Sequence, residues 1–187
     1  MIDKRAALLS SALELFSIRG YENTPTSLIS KNAGVATGTL FHHFSSKEEL
    51  INQLYLDCKL KMMQQIENSI KAAKSTDDKI KAVWEAMIRW ALENEERFLF
   101  IMQNKRNSYI KEETRQQVKT QSDELKAFIL EIDNLNTLRN LPPDLIAEIS
   151  SSMIDGAISY FRRNPEQYAD SKIREAAYQV FKNAFMK

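Results

Sequence analysis

The chain has 187 residues, of which 43% are hydrophobic, with one cysteine and a formal net charge of +1. These values predict a globular protein and exclude an intrachain disulfide framework, and the near-neutral charge argues weakly against a nucleic-acid binder. No stretch is apolar enough for a transmembrane helix, and the first residues lack the pattern of a signal peptide. We therefore expect a protein of the reducing cytoplasm that does not associate with a membrane.

Helical signals dominate the whole sequence. Only four glycines and four prolines occur, Ala, Leu, Glu, Lys and Gln are frequent, and no alternating strand pattern is present. This composition predicts an all-α protein of about nine helices, whose ends are marked by capping residues. In chain order we expect these helices at about 3–19, 25–32, 37–43, 46 to beyond 70, 77–93, 95–104, 109–132, 142–163 and 171–186.

The breaks between the first helices follow a recognisable pattern. Gly20 stands where a left-handed cap would end the first helix, and Thr24 before Pro25 predicts a side-chain cap for the second. Gly34 lies in the short turn between the second and third helices. Two short helices joined by such a turn are typical of a helix-turn-helix, whose second helix enters the DNA major groove.

The expected recognition helix, at about 37–43, contains more polar residues than packing requires. Leu40 and Phe44 can face a core together, but the threonines and both histidines of the protein cannot all do so. Hydroxyl and imidazole groups can bind base edges or phosphates, and a lysine at the start of the next helix can hold a phosphate. The residues expected to contact DNA are Thr26, Ser27, Thr37, Gly38, Thr39, Phe41, His42, His43 and Lys47.

Several segments of this region resemble the TetR/AcrR family of regulators. They are ALELF at 12–16, RGY at 19–21, AGV at 33–35, GTLFHHF at 38–44 and SKEEL at 46–50, and their spacing matches the family without a gap. The resemblance covers about residues 3–60 and implies a prokaryotic, homodimeric regulator. It predicts a helix-turn-helix DNA-binding domain at 1–46 and a helical ligand-binding and dimerisation domain at 47–187, with the fourth helix linking the two.

The sequence departs from the family pattern at positions that usually attract phosphate. Phe41 stands where a tyrosine is usual, and Ser27 and Leu28 stand where a charged pair is common. Ala36 replaces a common serine cap, and Thr37 replaces a lysine. Thr37 is then the alternative cap, which would limit its part in reading bases. We expect modest non-specific affinity for DNA and a modest dependence on salt.

Other chemistries find little support in the sequence. Adjacent His42 and His43 point in different directions on a helix and have no third ligand nearby, which disfavours a metal site, although a plain solvated helix end stays open. Cys58 lies on an apolar stripe and is expected to be buried and inert rather than a redox sensor. Paired glutamates stand near helix starts, where their charge favours the helix dipole. Because the sequence also offers no convincing Ser-His-acid or Cys-His arrangement and no glycine-rich phosphate loop, neither an enzyme nor a cofactor is expected.

The fifth helix is apolar around more than half of its circumference, which predicts that it is enclosed on two sides. Aromatics and methionines here suit an apolar pocket, and they suit a plain core equally well. The resemblance implies an inducer pocket for a hydrophobic or amphipathic molecule, with Arg89, Asp155 and Arg162 as candidate polar groups. The candidate lining residues are Trp84, Met87, Ile88, Phe98, Met102, Phe128, Met153 and Phe161.

Small side chains on the eighth helix and an apolar stripe on the last predict close helix packing, either within one chain or between two copies. The resemblance favours a four-helix dimer interface. Its candidate residues are Met153, Gly156, Ala157, Ile173, Ala177, Val180 and Ala184. Such a dimer would read the two half-sites of a palindromic operator on double-stranded DNA.

The hypothesis from the sequence is a repressor that a ligand releases from its operator by moving the fourth helix and changing the spacing of the recognition helices. Two alternatives stay open. One is a DNA-binding regulator without a small ligand, and the other is a helical protein-interaction module that has lost its affinity for DNA.

Overall fold

A computed structural model describes residues 3–71, 73–130 and 141–185 of the chain. These residues form ten helices and no strand, which confirms the predicted all-α fold. The helices are α1 (Lys4–Arg19), α2 (Thr26–Asn32), α3 (Thr37–His43), α4 (Lys47–Lys71), α5 (Thr76–Glu93), α6 (Glu95–Asn104), α7 (Glu112–Leu130), α8 (Pro143–Arg163), α9 (Pro165–Ala169) and α10 (Ser171–Phe185).

The chain divides into two compact units. The first comprises Met1–Lys61 and Asn94–Gln121, and the second comprises Met62–Glu93 and Ser122–Lys187. Helices α4 and α7 each begin in the first unit and end in the second. The functional boundary expected between residues 46 and 47 stays a prediction, because compactness and function need not divide a chain at the same residue.

Helices α1, α2, α3 and α6 and the first parts of α4 and α7 build the first unit. Helices α1, α2 and α3 pack pairwise, and α1 also packs against α6. At their centre Leu8, Ile29, Leu40 and Leu54 have no exposed surface. Burying a leucine or isoleucine side chain contributes about 1.5–3 kcal/mol, so this apolar centre is what holds the short helices in place.

The turn between α1 and α2 differs from the expected capping. Gly20 has a φ of 75° as predicted, and its ψ of 166° places it in a region that only glycine adopts readily. The predicted Thr24 cap is wrong, because Pro25 occupies the N-cap position and α2 has no side-chain cap. The buried Thr24 hydroxyl instead donates to the Gly20 carbonyl at 2.7 Å and lies 3.3 Å from the Leu15 carbonyl. It therefore satisfies carbonyls at the end of α1.

Helix α5 is the centre of the second unit and packs against α8 and α10. Its apolar residues are buried or half-buried, while Asp78, Glu85, Arg89 and Glu93 are exposed. This narrow polar strip agrees with the predicted enclosure on two sides. Part of that enclosure is an apolar cluster of Ile66, Ile70 and Ala86, with Met62, Val83 and Met87 packed against it.

One break explains why the described residues form ten helices where about nine are expected. Helix α8 ends at Arg163, and Pro165 then begins a five-residue helix that is too short to give a periodic sequence signal.

The expected start of the seventh helix at Tyr109 is wrong, since α7 begins at Glu112. The expected loop at 134–140, and the predicted helix ends at Ile132 and Met186, lie outside the described residues.

None of the helices in the described ranges combines the length and the apolar character needed to span a bilayer.

Candidate nucleic-acid interface and a cavity in the second unit

Helix α3 presents one face to solvent. Thr37, Gly38, Phe41 and His42 are exposed, and at about 100° per residue they occupy an arc of about 140°. Leu40 lies outside this arc and is fully buried, whereas Phe41 is 49% exposed. The helix therefore packs on one side and leaves the other available to a partner.

Thr39 and His43 flank this face and are half-buried. The rings of His42 and His43 have centroids 5.4 Å apart and an interplanar angle of 69°, so the two imidazoles are steeply inclined to each other. Across the part of the chain that the structure describes, no three His, Cys, Asp or Glu side chains are grouped to hold a metal ion.

The expectation that Thr37 caps the recognition helix is wrong. Ala36 occupies the N-cap position, no side chain caps α3, and Thr37 is the first residue of the helix. Because its hydroxyl is not used as a cap, Thr37 stays available for a contact with a base or a phosphate.

Lys47 lies at the start of α4, next to the turn that joins α1 and α2. Its ammonium is 4.3 Å from the centre of the Tyr21 ring and 3.4 Å from the Glu22 carbonyl oxygen. Partial burial lowers the pKa of Lys47. Ser46 caps α4, since its hydroxyl accepts from the Glu49 N–H at 3.0 Å.

All the residues predicted to contact DNA lie between positions 26 and 47, and none of them is buried. Thr26 and Ser27 occupy the first turn of α2, where Ser27 is exposed and Thr26 half-buried. Their contact with DNA stays a prediction.

A pair of tyrosines beside Lys47 has no signal in the sequence. Tyr109, in the segment between α6 and α7, stacks on Tyr21 with 4.2 Å between ring centroids and 30° between planes. Its hydroxyl donates to the Glu22 carboxylate, which raises the pKa of the Tyr109 phenol. No local sequence pattern predicts this contact, because Tyr109 and Glu22 are 87 positions apart.

Cys58 is buried, as expected. Burial raises the pKa of its thiol to about 11, and Arg97 lies 3.6 Å from Sγ. Because the thiolate is the reactive form, this cysteine is inert at neutral pH.

A cavity of about 310 Å³ lies in the second unit. It is lined by Trp84, Glu85, Ile88, Arg89, Phe161, Tyr168 and Arg174. The Arg174 guanidinium lies 5.2 Å from the centre of the Tyr168 ring and donates to the carbonyl of Ala169 at 3.2 Å. The lining thus combines apolar and aromatic walls with two guanidinium groups and one carboxylate, a composition that suits a small amphipathic molecule.

The cavity includes some of the residues selected from the sequence. Trp84, Ile88 and Phe161 line it, and so does Arg89 among the candidate polar groups. Glu85, Tyr168 and Arg174 were missed. The other apolar candidates do not line it: Met87 packs on the Ile66 cluster, Phe98 and Met102 belong to the first unit, Met153 is half-buried elsewhere on α8, and the side chain of Phe128 lies outside the described residues. Asp155 and Arg162 also lie outside the lining.

The candidate dimer residues lie on α8 and α10, and none of them is buried in the chain. Val180 is 67% exposed, and Gly156 and Ala184 are exposed as well. Met153, Ala157, Ile173 and Ala177 are half-buried. Exposed apolar and small residues on two helices favour an intermolecular contact over packing inside one chain.

Comparison with known proteins supports the same interpretation of the N-terminal helices. Residues 8–54 match the family model described as bacterial regulatory proteins, tetR family. The chain is 29% identical over 80 residues to the fatty acid metabolism regulator protein of Bacillus subtilis. The matched stretch covers 43% of this chain and 41% of that protein. The chain is also 41% identical over 51 residues to the transcriptional repressor KstR2 of Mycobacterium tuberculosis, which is 27% of this chain and 26% of that one.

These sequence matches span at most about two fifths of the relatives' length. A structural match extends over the whole chain: a tetR family transcription regulator from Shewanella sp. PV-4 superimposes with a TM-score of 0.85 and 29% identity, covering 100% of both chains. The N-terminal helices therefore match the TetR family model, and the fold of the whole chain is that of a TetR family transcription regulator.

Proposed function

We propose that this protein is a homodimeric, sequence-specific DNA-binding repressor that a small amphipathic ligand releases from its operator. The observation that carries the DNA-binding part is the exposed face of α3, formed by Thr37, Gly38, Phe41 and His42. A seven-residue helix with one buried face and one polar, exposed face has the dimensions to enter a major groove.

Each residue of this face has a distinct role in the proposal. Thr37 and His42 read base edges through a hydroxyl and an imidazole. A Cβ atom at Gly38 would have no neighbouring protein atom within 4 Å, so the space beside its backbone is open to DNA. Phe41 packs its exposed ring on the sugar-phosphate backbone or a thymine methyl, and Lys47 binds a phosphate that fixes the register.

The homodimer is proposed from the exposed apolar and small residues of α8 and α10, among which Val180 is 67% exposed. A single DNA-binding head, formed by α1, α2 and α3, reads only a few base pairs. Two heads related by a two-fold axis read a palindrome, which gives usable specificity.

The test is selection of random duplex DNA by the purified protein at near-physiological salt, followed by sequencing. An enriched palindrome is the expected result. Absence of enrichment from a folded dimer would contradict the proposal. It would favour a protein-interaction module, for which the large exposed ring of Phe41 on α3 is the supporting observation.

Replacing His42 with alanine is expected to relax the preference at one position of each half-site by about 1–3 kcal/mol, because a base-edge contact is lost. Lys47→Ala is the matched control. It is expected to weaken all sequences alike and to reduce the salt slope by about one, because it removes a phosphate contact. Selection repeated with both variants measures the difference. An unchanged base preference in H42A would remove His42 as a reader.

The ligand is proposed to occupy the cavity of the second unit, with its apolar part against Trp84, Ile88 and Phe161 and an anionic group beside Arg89 or Arg174. Helix α4 runs continuously from the second unit into the first, so a shift of α4 is the route by which occupancy changes the head. A ligand that weakens DNA binding tenfold needs about 1.4 kcal/mol of differential affinity between the two states.

A medium-chain fatty acid is expected to raise the Tm of the protein more than the matched neutral alcohol, because binding to the folded state stabilises it. Arg89→Gln is expected to reduce this preference for the carboxylate, since Arg89 is exposed and its hydrogen bond to the Ser69 hydroxyl is long at 3.5 Å. Arg163→Gln, an exposed arginine outside the cavity, is the control. Equal shifts for acid and alcohol in the wild type would contradict an anionic ligand.

A further inference from the structure

We propose that Asn52 is a positioning residue of the DNA-binding head. It fixes the segment around Tyr109 against α4, and this segment, through Tyr21, holds Lys47 where it reaches a DNA phosphate. The inference rests on the proposed function, because it takes Lys47 as a phosphate contact.

Asn52 is 5% exposed, and its side chain makes four hydrogen bonds. The amide nitrogen donates to the carbonyls of Glu48 at 2.8 Å and Tyr109 at 2.9 Å. The amide oxygen accepts from the Lys111 N–H and from the Thr114 hydroxyl, both at 2.8 Å. A primary amide has two donor hydrogens and two acceptor lone pairs, so its full capacity is used.

Three of these four bonds reach residues that are 57, 59 and 62 positions away in the sequence. One of them satisfies the N–H of Lys111 at the start of α7, where backbone donors have no partner within the helix. An apolar side chain at position 52 would leave these groups unsatisfied in a buried place and would release the segment that carries Tyr109.

The contacts continue from the Tyr109 backbone to its side chain. Its ring stacks on Tyr21 at 4.2 Å, and its hydroxyl donates to Glu22. The Lys47 ammonium also contacts Tyr21 and lies 4.3 Å from the centre of its ring. The chain of contacts therefore begins and ends on α4, at Asn52 and at Lys47. This closed circuit restricts where the long lysine side chain can point.

A second buried amide in the same unit provides a matched comparison. Asn104 is 7% exposed, and its amide donates to the Phe100 carbonyl at 2.8 Å. Its oxygen accepts from the Asn107 side chain at 3.3 Å. Both bonds join residues only three or four positions apart, so loss of Asn104 removes a buried polar group while the long-range bonds of Asn52 to the Tyr109 carbonyl and the Lys111 N–H stay in place.

The experiment compares Asn52→Leu, Lys47→Ala, the double variant and Asn104→Leu. Each full-length protein is titrated with a duplex that the wild type selects from random sequence, over a series of salt concentrations. We expect N52L and K47A each to bind roughly tenfold more weakly, with the salt slope reduced by about one. The double variant is expected to bind no more weakly than K47A, and N104L to bind as the wild type does.

Tyr109→Leu keeps the test decisive if N52L does not fold, because the Tyr109 side chain is half-buried at the surface and its carbonyl can still bind Asn52. It is expected to reproduce the affinity and salt slope of K47A. Normal binding by folded N52L and Y109L, with a loss in K47A, would overturn the inference alone, as would losses that add in the double variant. Normal binding by K47A would overturn the phosphate role of Lys47 and the inference with it.

Discussion

Replacing Leu40 with alanine is expected to lower the free energy of unfolding by about 2–5 kcal/mol, the range measured for buried leucines. Leu40 has no exposed surface and is the single buried residue of α3. Its loss leaves a cavity between α3 and the other helices of the first unit, and so short a helix has few other contacts with which to close it. Urea unfolding measures the effect as a lower midpoint with an unchanged m-value.

The neighbouring residue supplies the control. Phe41 is 49% exposed, so Phe41→Ala is expected to change unfolding by about 0.5 kcal/mol or less. Its cost should appear instead as weaker DNA binding. Similar losses of stability in L40A and F41A would mean that α3 is rotated from the orientation described. That result would contradict the proposed DNA-reading face.

The elements of the head are predictable because their signals are local. Gly20 and Gly34 both adopt positive φ, a conformation that favours glycine, so these two glycines identify the turns in the sequence. Leu40 and Phe44, four positions apart, are both buried, so helical periodicity alone gives the packing face of α3. These signals act over a few residues and need no knowledge of the tertiary structure.

Capping is less predictable, because a hydroxyl can choose between nearby partners. Thr24 precedes a helix start and has a suitable side chain, yet its hydroxyl donates backwards to the carbonyl of Gly20. The start of α7 was missed for a different reason. The Lys111 N–H is bound by Asn52, and the Tyr109 N–H by the Asn107 side chain at 3.1 Å, so α7 begins only after these residues.

The lining of the cavity lies further beyond sequence reasoning. Apolar periodicity identifies Trp84 and Ile88 as inward-facing, but it cannot distinguish a wall of a cavity from a wall of the core. Arg174 and Tyr168 come from two helices that follow a proline break, and only the tertiary fold brings them to α5. The polar groups of the cavity lining are thus the least predictable part of the candidate site.

Replacing Trp84 with alanine is expected to lower the free energy of unfolding by about 3–5 kcal/mol, because a buried indole is removed and the space cannot be refilled. Trp84 is 4% exposed, and its ring centroid lies 4.7 Å from that of Phe181 on α10. Part of the loss is this contact between rings, which contributes about 0.5–1.5 kcal/mol beyond the buried area. Urea unfolding at fixed protein concentration measures it.

Glu85→Ala is the matched control, since Glu85 is the next residue, lines the same cavity and is exposed. It is expected to change stability by about 0.5 kcal/mol or less. W84A should also lose the rise in Tm that the fatty acid causes, because one apolar wall of the cavity is gone. E85A should keep this rise in Tm. If W84A keeps both its stability and its response to the fatty acid, Trp84 neither stabilises the core of the second unit nor contacts the ligand.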